Sequence, residues 1–132
     1  MNKIVKFGLV IKRNDKFLIN RKYGTKLFLM PGGKPKADES IENCLIREIK
    51  EEHNVDVIEK SLHFFGEFED TAANEPNTII SMGVYTGEII GEPSINSEIE
   101  EQRWFGRNDN HDILSPIIKN KILPTLIRNN II

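Results

Sequence analysis

Three glutamates, Glu48, Glu51 and Glu52, crowd the end of a stretch in which Ile41, Leu45 and Ile49 are spaced as one apolar stripe of an amphipathic helix. At that spacing Glu52 falls inside the stripe, Glu48 beside it and Glu51 next to them, while Asn43, Arg47 and Lys50 lie on the far side. A solvated face would put the carboxylates opposite the core. They also sit near the helix C-terminus, where the macrodipole disfavours anions by about 0.3–1 kcal/mol each. At about 6 Å and an effective dielectric of about 20, each like-charged pair costs about 3 kcal/mol. A cation among them removes that cost. A hard divalent ion suits an all-oxygen donor set, because Mg²⁺ takes one or two carboxylates and completes its shell with water and substrate phosphate. Helix geometry alone leaves a charged helix with hydrated ends as the bland alternative.

The turn ahead of the helix adds to the case. Met30-Pro31-Gly32-Gly33 ends an apolar run, two glycines let backbone approach a ligand closely, and Lys34 and Lys36 follow with charge suited to phosphate. A Pro-Gly-Gly turn by itself is more often punctuation than a site. Taken together, the spacing Gly33, five residues, Glu39, seven residues, Arg47-Glu48-Ile49, one residue, Glu51-Glu52, one residue, Asn54-Val55 resembles the box of the Nudix hydrolases. That pattern is G, five residues, E, seven residues, R-E-U-x-E-E-x-G-U, with U aliphatic. Asn54 is the single departure, standing where the pattern has glycine. Asn is the residue that next best tolerates a left-handed helix cap.

The resemblance is strong over 32–55 and only compatible in length and element order elsewhere. It implies Mg²⁺, with Mn²⁺ as a substitute, held by Glu48, Glu51, Glu52 and the Gly33 carbonyl. It further implies water attack on one phosphorus of a nucleotide pyrophosphate, with Arg47 orienting Glu39 or neighbouring carboxylates. The general base is left open between Glu48 and a later glutamate. Glu98, Glu100 and Glu101 are the later candidates, and Glu101 is the one carried into the candidate catalytic set with Glu48, Arg47 and Glu39. Arg21, Lys34 and Gly32 are the expected substrate contacts. The markers of the ADP-ribose, dinucleoside polyphosphate and coenzyme A branches are missing. Arg21 and Pro31-Gly32-Gly33-Lys34 look like the branch that cleans the nucleotide pool, so the expected reaction converts a nucleoside triphosphate, oxidised dGTP included, to monophosphate and pyrophosphate. The competing readings are a non-hydrolytic nucleotide sensor, a hydrolase of another pyrophosphate such as a nucleotide sugar, and an enzyme acting on RNA 5′ ends. Sensors usually lose a box glutamate, and none is lost here.

The rest of the chain must position these residues. Its 132 residues suit one domain, 1–132, large enough to bury a core. A formal charge of −2 carries no strongly basic field, so the expected partner is a small nucleotide and not duplex nucleic acid. The N-terminus is too broken by charge for a signal peptide or membrane span, which makes the expected location cytoplasmic; the expected assembly is a monomer or homodimer. The lone Cys44 has no disulfide partner and reads as packing. His53, His63 and His111 read as ordinary surface or strand residues, and Trp104 and Phe105 as core.

Alternation over Ile4–Ile11, turn residues Arg13-Asn14-Asp15 and the run Phe17-Leu18-Ile19 predict a β-hairpin, with Leu27–Met30 as a short strand. Ser40 is a good N-cap for a helix over 41–53. Strands follow at Val55–Val57, Leu62–Phe68, Thr78–Ile89 and Gln102–Phe105, with a loop at Asp70–Asn77 that could approach the site mouth and another at Gly91–Ser97. Ser115-Pro116 opens a terminal helix as N-cap and first residue, with Pro124 expected to kink it. The order is that of an α/β chain, and the resemblance implies a Nudix-type α/β/α sandwich with a mixed β-sheet between helices.

Overall fold

The computed structural model describes residues 1–73 and 75–132. In chain order the strands are β1 (Asn2–Arg13), β2 (Lys16–Lys22), β3 (Gly32–Gly33), β4 (Asp56–Val57), β5 (His63–Thr71), β6 (Thr78–Gly87), β7 (Ile89–Ile90) and β8 (Ile99–Gly106). Helix α1 covers Ile41–His53 and α2 covers Leu123–Arg128. The main sheet runs β5-β6-β1-β2-β8. β1 is parallel to β6 and antiparallel to β2 and β3, so the sheet is mixed as expected.

Strand parity builds two cores. Leu9, Ile11 and Leu18 face α1 and pack on Leu45 and Ile49. Val10, Phe17 and Ile19, with Ile80, Met82 and Val84, face the terminal helical turns and pack on Ile117, Ile118, Ile122 and Leu126. Helices therefore cover both faces, the predicted α/β/α arrangement.

One departure from regular pairing creates the site. β1 and β2 pair only beside their turn, at Lys12 with Phe17 and Arg13 with Lys16. Farther along, the segment 29–33 lies between them. Asn20 and Leu29 exchange backbone hydrogen bonds of 3.0 and 2.6 Å, Leu9 N–H donates to the Pro31 carbonyl at 2.9 Å, and Gly32 and Gly33 pair with Gly8 and Phe7. The expected strand Leu27–Met30 is reduced to isolated bridges at Phe28 and Leu29, because the segment crosses from β2 to β1 instead of following either.

Helix α1 has the predicted bounds. Ser40 Oγ accepts from Asn43 N–H, and Asn54 closes the helix at φ 58° with its N–H on the Lys50 carbonyl. The expected strand Thr78–Ile89 breaks at Glu88, since Ile89 and Ile90 leave the main sheet to pair with Val57 and Asp56. β8 is longer than expected and carries Glu100 and Glu101 within it. β5 extends to Thr71, which shortens the loop expected at 70–77; Asn74 lies outside the described residues. The terminal helix begins after Ser115, but Ile118–Ile122 forms a π turn in which Leu123 N–H donates to the Ile118 carbonyl. Pro124, which has no N–H to give, follows directly, so the expected kink takes this form. Among the described residues no helix is long and apolar enough to cross a membrane.

Candidate active site

Helix α1 lays its last two turns over the Gly32-Gly33 turn. Gly32 sits at φ 144°, and a β-carbon there would run into the Phe7 carbonyl, so only glycine fits. Its N–H donates to Glu52 Oε1 at 3.0 Å. A β-carbon on Gly33 would run into the Glu48 carboxylate, so the two lie face to face. Glu48 and Glu52, the first and last of the three crowded carboxylates, thus meet the glycine turn. Glu51, one position round, has a half-exposed side chain that reaches toward Arg47.

Arg47 ties the set together. Its Nε and Nη2 form a fork onto Glu39 at 2.8 and 2.9 Å, its Nη1 donates to Glu48 Oε1 at 2.7 Å, and Nη2 also reaches the Lys34 carbonyl at 3.2 Å. This is the bidentate geometry that guanidinium allows and ammonium does not. The Arg47 bonds, helped by the Lys36 N–H, hold the Glu39 carboxyl down at about 2. Glu39 and Arg47 therefore brace Glu48 and the turn from outside.

The carboxylates facing the turn behave in the opposite way. Burial, against the pull of the Gly32 N–H, pushes Glu52 up to about 8, and burial raises Glu48 despite its bond to Arg47. Glu52 makes no ion pair among the described residues, and Glu48 has Arg47 as its ion-pair partner. Glu48, Glu51 and Glu52 with the Gly33 carbonyl offer only hard oxygen donors, which fits Mg²⁺ or Mn²⁺ in donor type. They are not gathered into a ready-made cluster: among the described residues no three acidic, His or Cys side chains converge on one point. Arg47 holds the carboxylates on the outer side of that gap.

A cleft opens beside the turn, enclosing about 490 Å³ of empty space continuous with solvent. Glu52, Gly32 and Gly33 line it together with Lys6 and Lys22. Lys6 is half-buried, and burial followed by repulsion from Lys22 and Lys34 lowers its pKa. Met30, Ile80, Met82 and Ile117 give the cleft apolar walls, and Ser115 lines it too. The Ser115 hydroxyl is buried and has no hydrogen-bond partner among the described residues, so it does not cap the helix it precedes, contrary to expectation. Ala73, from the loop after β5, also lines the cleft, so that loop does reach the mouth.

His53 is fully buried at the end of a helix, against its reading as an ordinary surface or strand residue. It lies at the end of α1 on the face toward β2, with Nε2 2.9 Å from Asn20 Nδ2 and Nδ1 2.8 Å from Gln102 Oε1. Asn20 Nδ2 also donates to Glu52 Oε1 at 3.5 Å. Sequence reasoning gave Asn20 and Lys6 no part in the site, and read Gln102 and Ser115 only as a strand residue and a helix cap. The signal for Asn20 was available, as a polar residue at the strand position in register with Leu18.

The same parity sets Arg21 and Glu101 apart from the carboxylates. Asn20 and Gln102 are cross-strand partners toward α1, whereas Arg21 and Glu101 are partners on the opposite face. Arg21 is held there by Glu100 at 2.7 Å, Glu101 at 3.3 Å and the Thr25 carbonyl at 2.8 Å, and Glu101 is also bound by Arg103 at 2.7 Å. Neither lines the cleft. Of the three downstream glutamates, Glu98 is the one whose charge is felt at Glu52. Cys44 is buried in packing, with its thiol pushed up to about 11 by burial.

Comparison with known proteins gives relatives in sequence and in fold. The mRNA-decapping protein D10 of Fowlpox virus is 42% identical over 95 residues, spanning 65% of this chain and 42% of the viral protein. The ADP-ribose pyrophosphatase of Methanocaldococcus jannaschii is 29% identical over 104 residues, covering 77% of this chain and 60% of that one. The chain spans about two fifths of the length of the decapping proteins it matches. In fold, the MutT protein of Methanosarcina mazei Go1 superposes with a TM-score of 0.76 at 18% identity, covering 97% of this chain and 96% of the other. The NUDIX domain profile matches residues 3–126, nearly the whole chain, and the chain therefore belongs to the Nudix family.

Proposed function

We propose that the chain is a divalent-metal-dependent hydrolase of nucleotide pyrophosphates that converts a nucleoside triphosphate to nucleoside monophosphate and pyrophosphate. The observation that carries this reading is the meeting of Glu48 and Glu52 with the Gly32-Gly33 turn beside a cleft, with both carboxyls raised by burial and Glu52 without an ion pair among the described residues. Glu48, Glu51, Glu52 and the Gly33 carbonyl would hold Mg²⁺ or Mn²⁺, which supplies neutralisation of phosphate charge and a lowered pKa for attacking water. The protein's own contribution is positional. Arg47 and Glu39 fix Glu48 against the turn, Gly32 fixes Glu52, and Lys6, Lys22 and Lys34 give the phosphate chain cationic contacts that also offset charge developing on the leaving pyrophosphate. The flat base enters between Met30, Ile80, Met82 and Ile117, where the Ser115 hydroxyl supplies a hydrogen bond to its edge.

A second reading, removal of an mRNA cap, is favoured by the decapping relative. One experiment separates the readings: the four ribo- and deoxyribonucleoside triphosphates, oxidised dGTP, ADP-ribose, a nucleotide sugar and a capped RNA oligonucleotide are incubated with Mg²⁺ or Mn²⁺ and the products identified. Release of pyrophosphate from a triphosphate supports the first reading. Preferential release of the cap nucleotide replaces it with the second, and binding without turnover of any compound makes the chain a sensor.

A further inference from the structure

A line of polar side chains, half-buried at Gln102 and buried from His53 on, runs from the loop after β7 to the last glutamate of α1, and it has one consistent assignment of donors and acceptors. It begins at the Pro93 carbonyl, which can only accept, so Gln102 Nε2, 2.8 Å away, is the donor and Gln102 Oε1 is free to accept. His53 Nδ1, 2.8 Å from that oxygen, then carries the ring proton. A neutral imidazole protonated at Nδ1 presents a lone pair at Nε2, which accepts from Asn20 Nδ2 at 2.9 Å. The second Nδ2 hydrogen of Asn20 points toward Glu52 Oε1 at 3.5 Å. Every contact is satisfied by this single tautomer and amide orientation. Asn20 and His53 are at most 1% exposed, so water does not compete for either.

The same loop holds the helix end on which this line depends. The Glu52 and His53 carbonyls, orphaned at the C-terminus of α1, accept from Asn96 N–H at 3.1 Å and Ser94 N–H at 3.0 Å. Glu52 Oε1 thus receives two donors, Gly32 N–H and Asn20 Nδ2, while among the described residues Oε2 receives none. The carboxylate is turned so that one oxygen is tied into the protein and the other is left for the cleft that Glu52 lines.

We infer that His53 is a positioning residue: through Asn20 it fixes the rotamer of Glu52 and so sets how that carboxylate meets a divalent cation and the substrate. The inference rests on the proposed role of Glu52 as a metal ligand. His53 touches neither metal nor substrate and acts only by orienting Asn20, as outer hydrogen-bond partners of ligating side chains do.

The test compares His53→Phe, which keeps the ring and loses the acceptor, with His53→Gln, whose amide oxygen can occupy the position of Nε2, and with Asn20→Leu and the Asn20→Leu/His53→Phe double variant. Two readouts are taken on each folded protein: Mn²⁺ affinity by calorimetry, and kcat and KM for the best substrate of the panel. His53→Phe is expected to weaken Mn²⁺ binding at least about tenfold and to lower kcat by a similar factor with KM within about twofold. His53→Gln recovers most of both, and the double variant is no worse than the worse single, because the two residues act in series. Unchanged Mn²⁺ affinity in His53→Phe, equal losses in His53→Gln and His53→Phe, or losses that multiply in the double variant would each overturn the inference. Absence of Mn²⁺ binding to the wild type overturns it as well. If the wild type binds Mn²⁺ and the variants weaken it as expected, but no nucleotide is hydrolysed, the inference stands and the proposed reaction fails.

Discussion

The Gly32 amide donates to Glu52 Oε1 at 3.0 Å across 20 residues of sequence, joining the turn that ends an apolar run to the last turn of α1. This bond spans the two parts of the site that have to be in register, the glycine backbone and the carboxylates. It works because segment 29–33 lies between β1 and β2, where it meets the helix from below. The neighbouring glycine stands in a different relation to the helix, and the two make a contrasting pair.

Gly33→Ala is expected to fold and to lose activity. The added methyl meets the far end of the Glu48 side chain, which can swing away, and the Gly33 backbone is not in the left-handed region. Displacing Glu48 should lower kcat/KM about a hundredfold or more, with a stability loss under about 1 kcal/mol. Gly32→Ala meets backbone at φ 144° and should cost at least about 2 kcal/mol. Urea unfolding of both variants beside a steady-state assay checks the pair; similar stability losses would contradict it.

The helix and its turn were legible in the sequence because everything that specifies them is local. Ser40, the stripe Ile41, Leu45, Ile49 and the left-handed Asn54 mark the bounds of α1 at 41–53 from within the segment itself. The chain from Gln102 through His53 and Asn20 was not legible, since its members come from β8, α1 and β2 and meet only through strand register. The same register decides that Asn20 and not Arg21 faces the carboxylates, a one-residue parity that composition does not encode. Ser115 reads as an N-cap by residue type, yet its hydroxyl makes no capping bond, and cleft packing determines that.

Ser115→Ala should leave the protein as stable as wild type or raise its stability, by up to about 1–3 kcal/mol, because the hydroxyl it removes is buried without a partner. If that hydroxyl bonds the base, the variant should also compress the ratio of kcat/KM between the best and worst nucleotides about tenfold or more. Thermal unfolding and a nucleotide panel measure the two effects. A destabilised variant with an unchanged ratio would make Ser115 purely structural.

Arg47→Ala should weaken the acid-side dependence of stability. The Glu39 carboxyl is held at about 2, below its unfolded value of about 4.3, so its contribution is present above the unfolded value and is lost as pH falls through about 2. Without Arg47 the main cause of that depression is gone, and the stability difference between variant and wild type should shrink as pH drops from 5 toward 2. Arg47→Lys should recover little, because an ammonium cannot make the fork onto Glu39. A difference that stays constant from pH 5 to 2 would refute the coupling.

Glu52→Gln should abolish most activity while stabilising the metal-free protein. Loss of a charged oxygen donor withdraws transition-state stabilisation, and a loss of a few kcal/mol is at least about a hundredfold in rate. Folding goes the other way. Without metal, burial places the Glu52 carboxyl at about 8, above its unfolded value of about 4.3. A raised carboxyl contributes stability that is complete below the unfolded value and declines as pH climbs toward about 8, where the unfolded chain has long since released its proton. The decline has an upper bound of about 5 kcal/mol. Glutamine keeps an oxygen to accept from Gly32 N–H and carries no proton to lose, so the variant should escape it. In EDTA the two proteins should have similar stability near pH 4.5, and the variant should be the more stable by about 1 kcal/mol or more at pH 8. Saturating Mg²⁺ should reverse the order, since the ion binds the folded wild type more tightly and stabilises it by mass action. Urea unfolding from pH 4.5 to 8, with EDTA and with Mg²⁺, measures each term. A variant less stable than wild type at pH 8 in EDTA would show that Glu52 is held as a paired, structural carboxylate, and an unchanged turnover would remove it from the site.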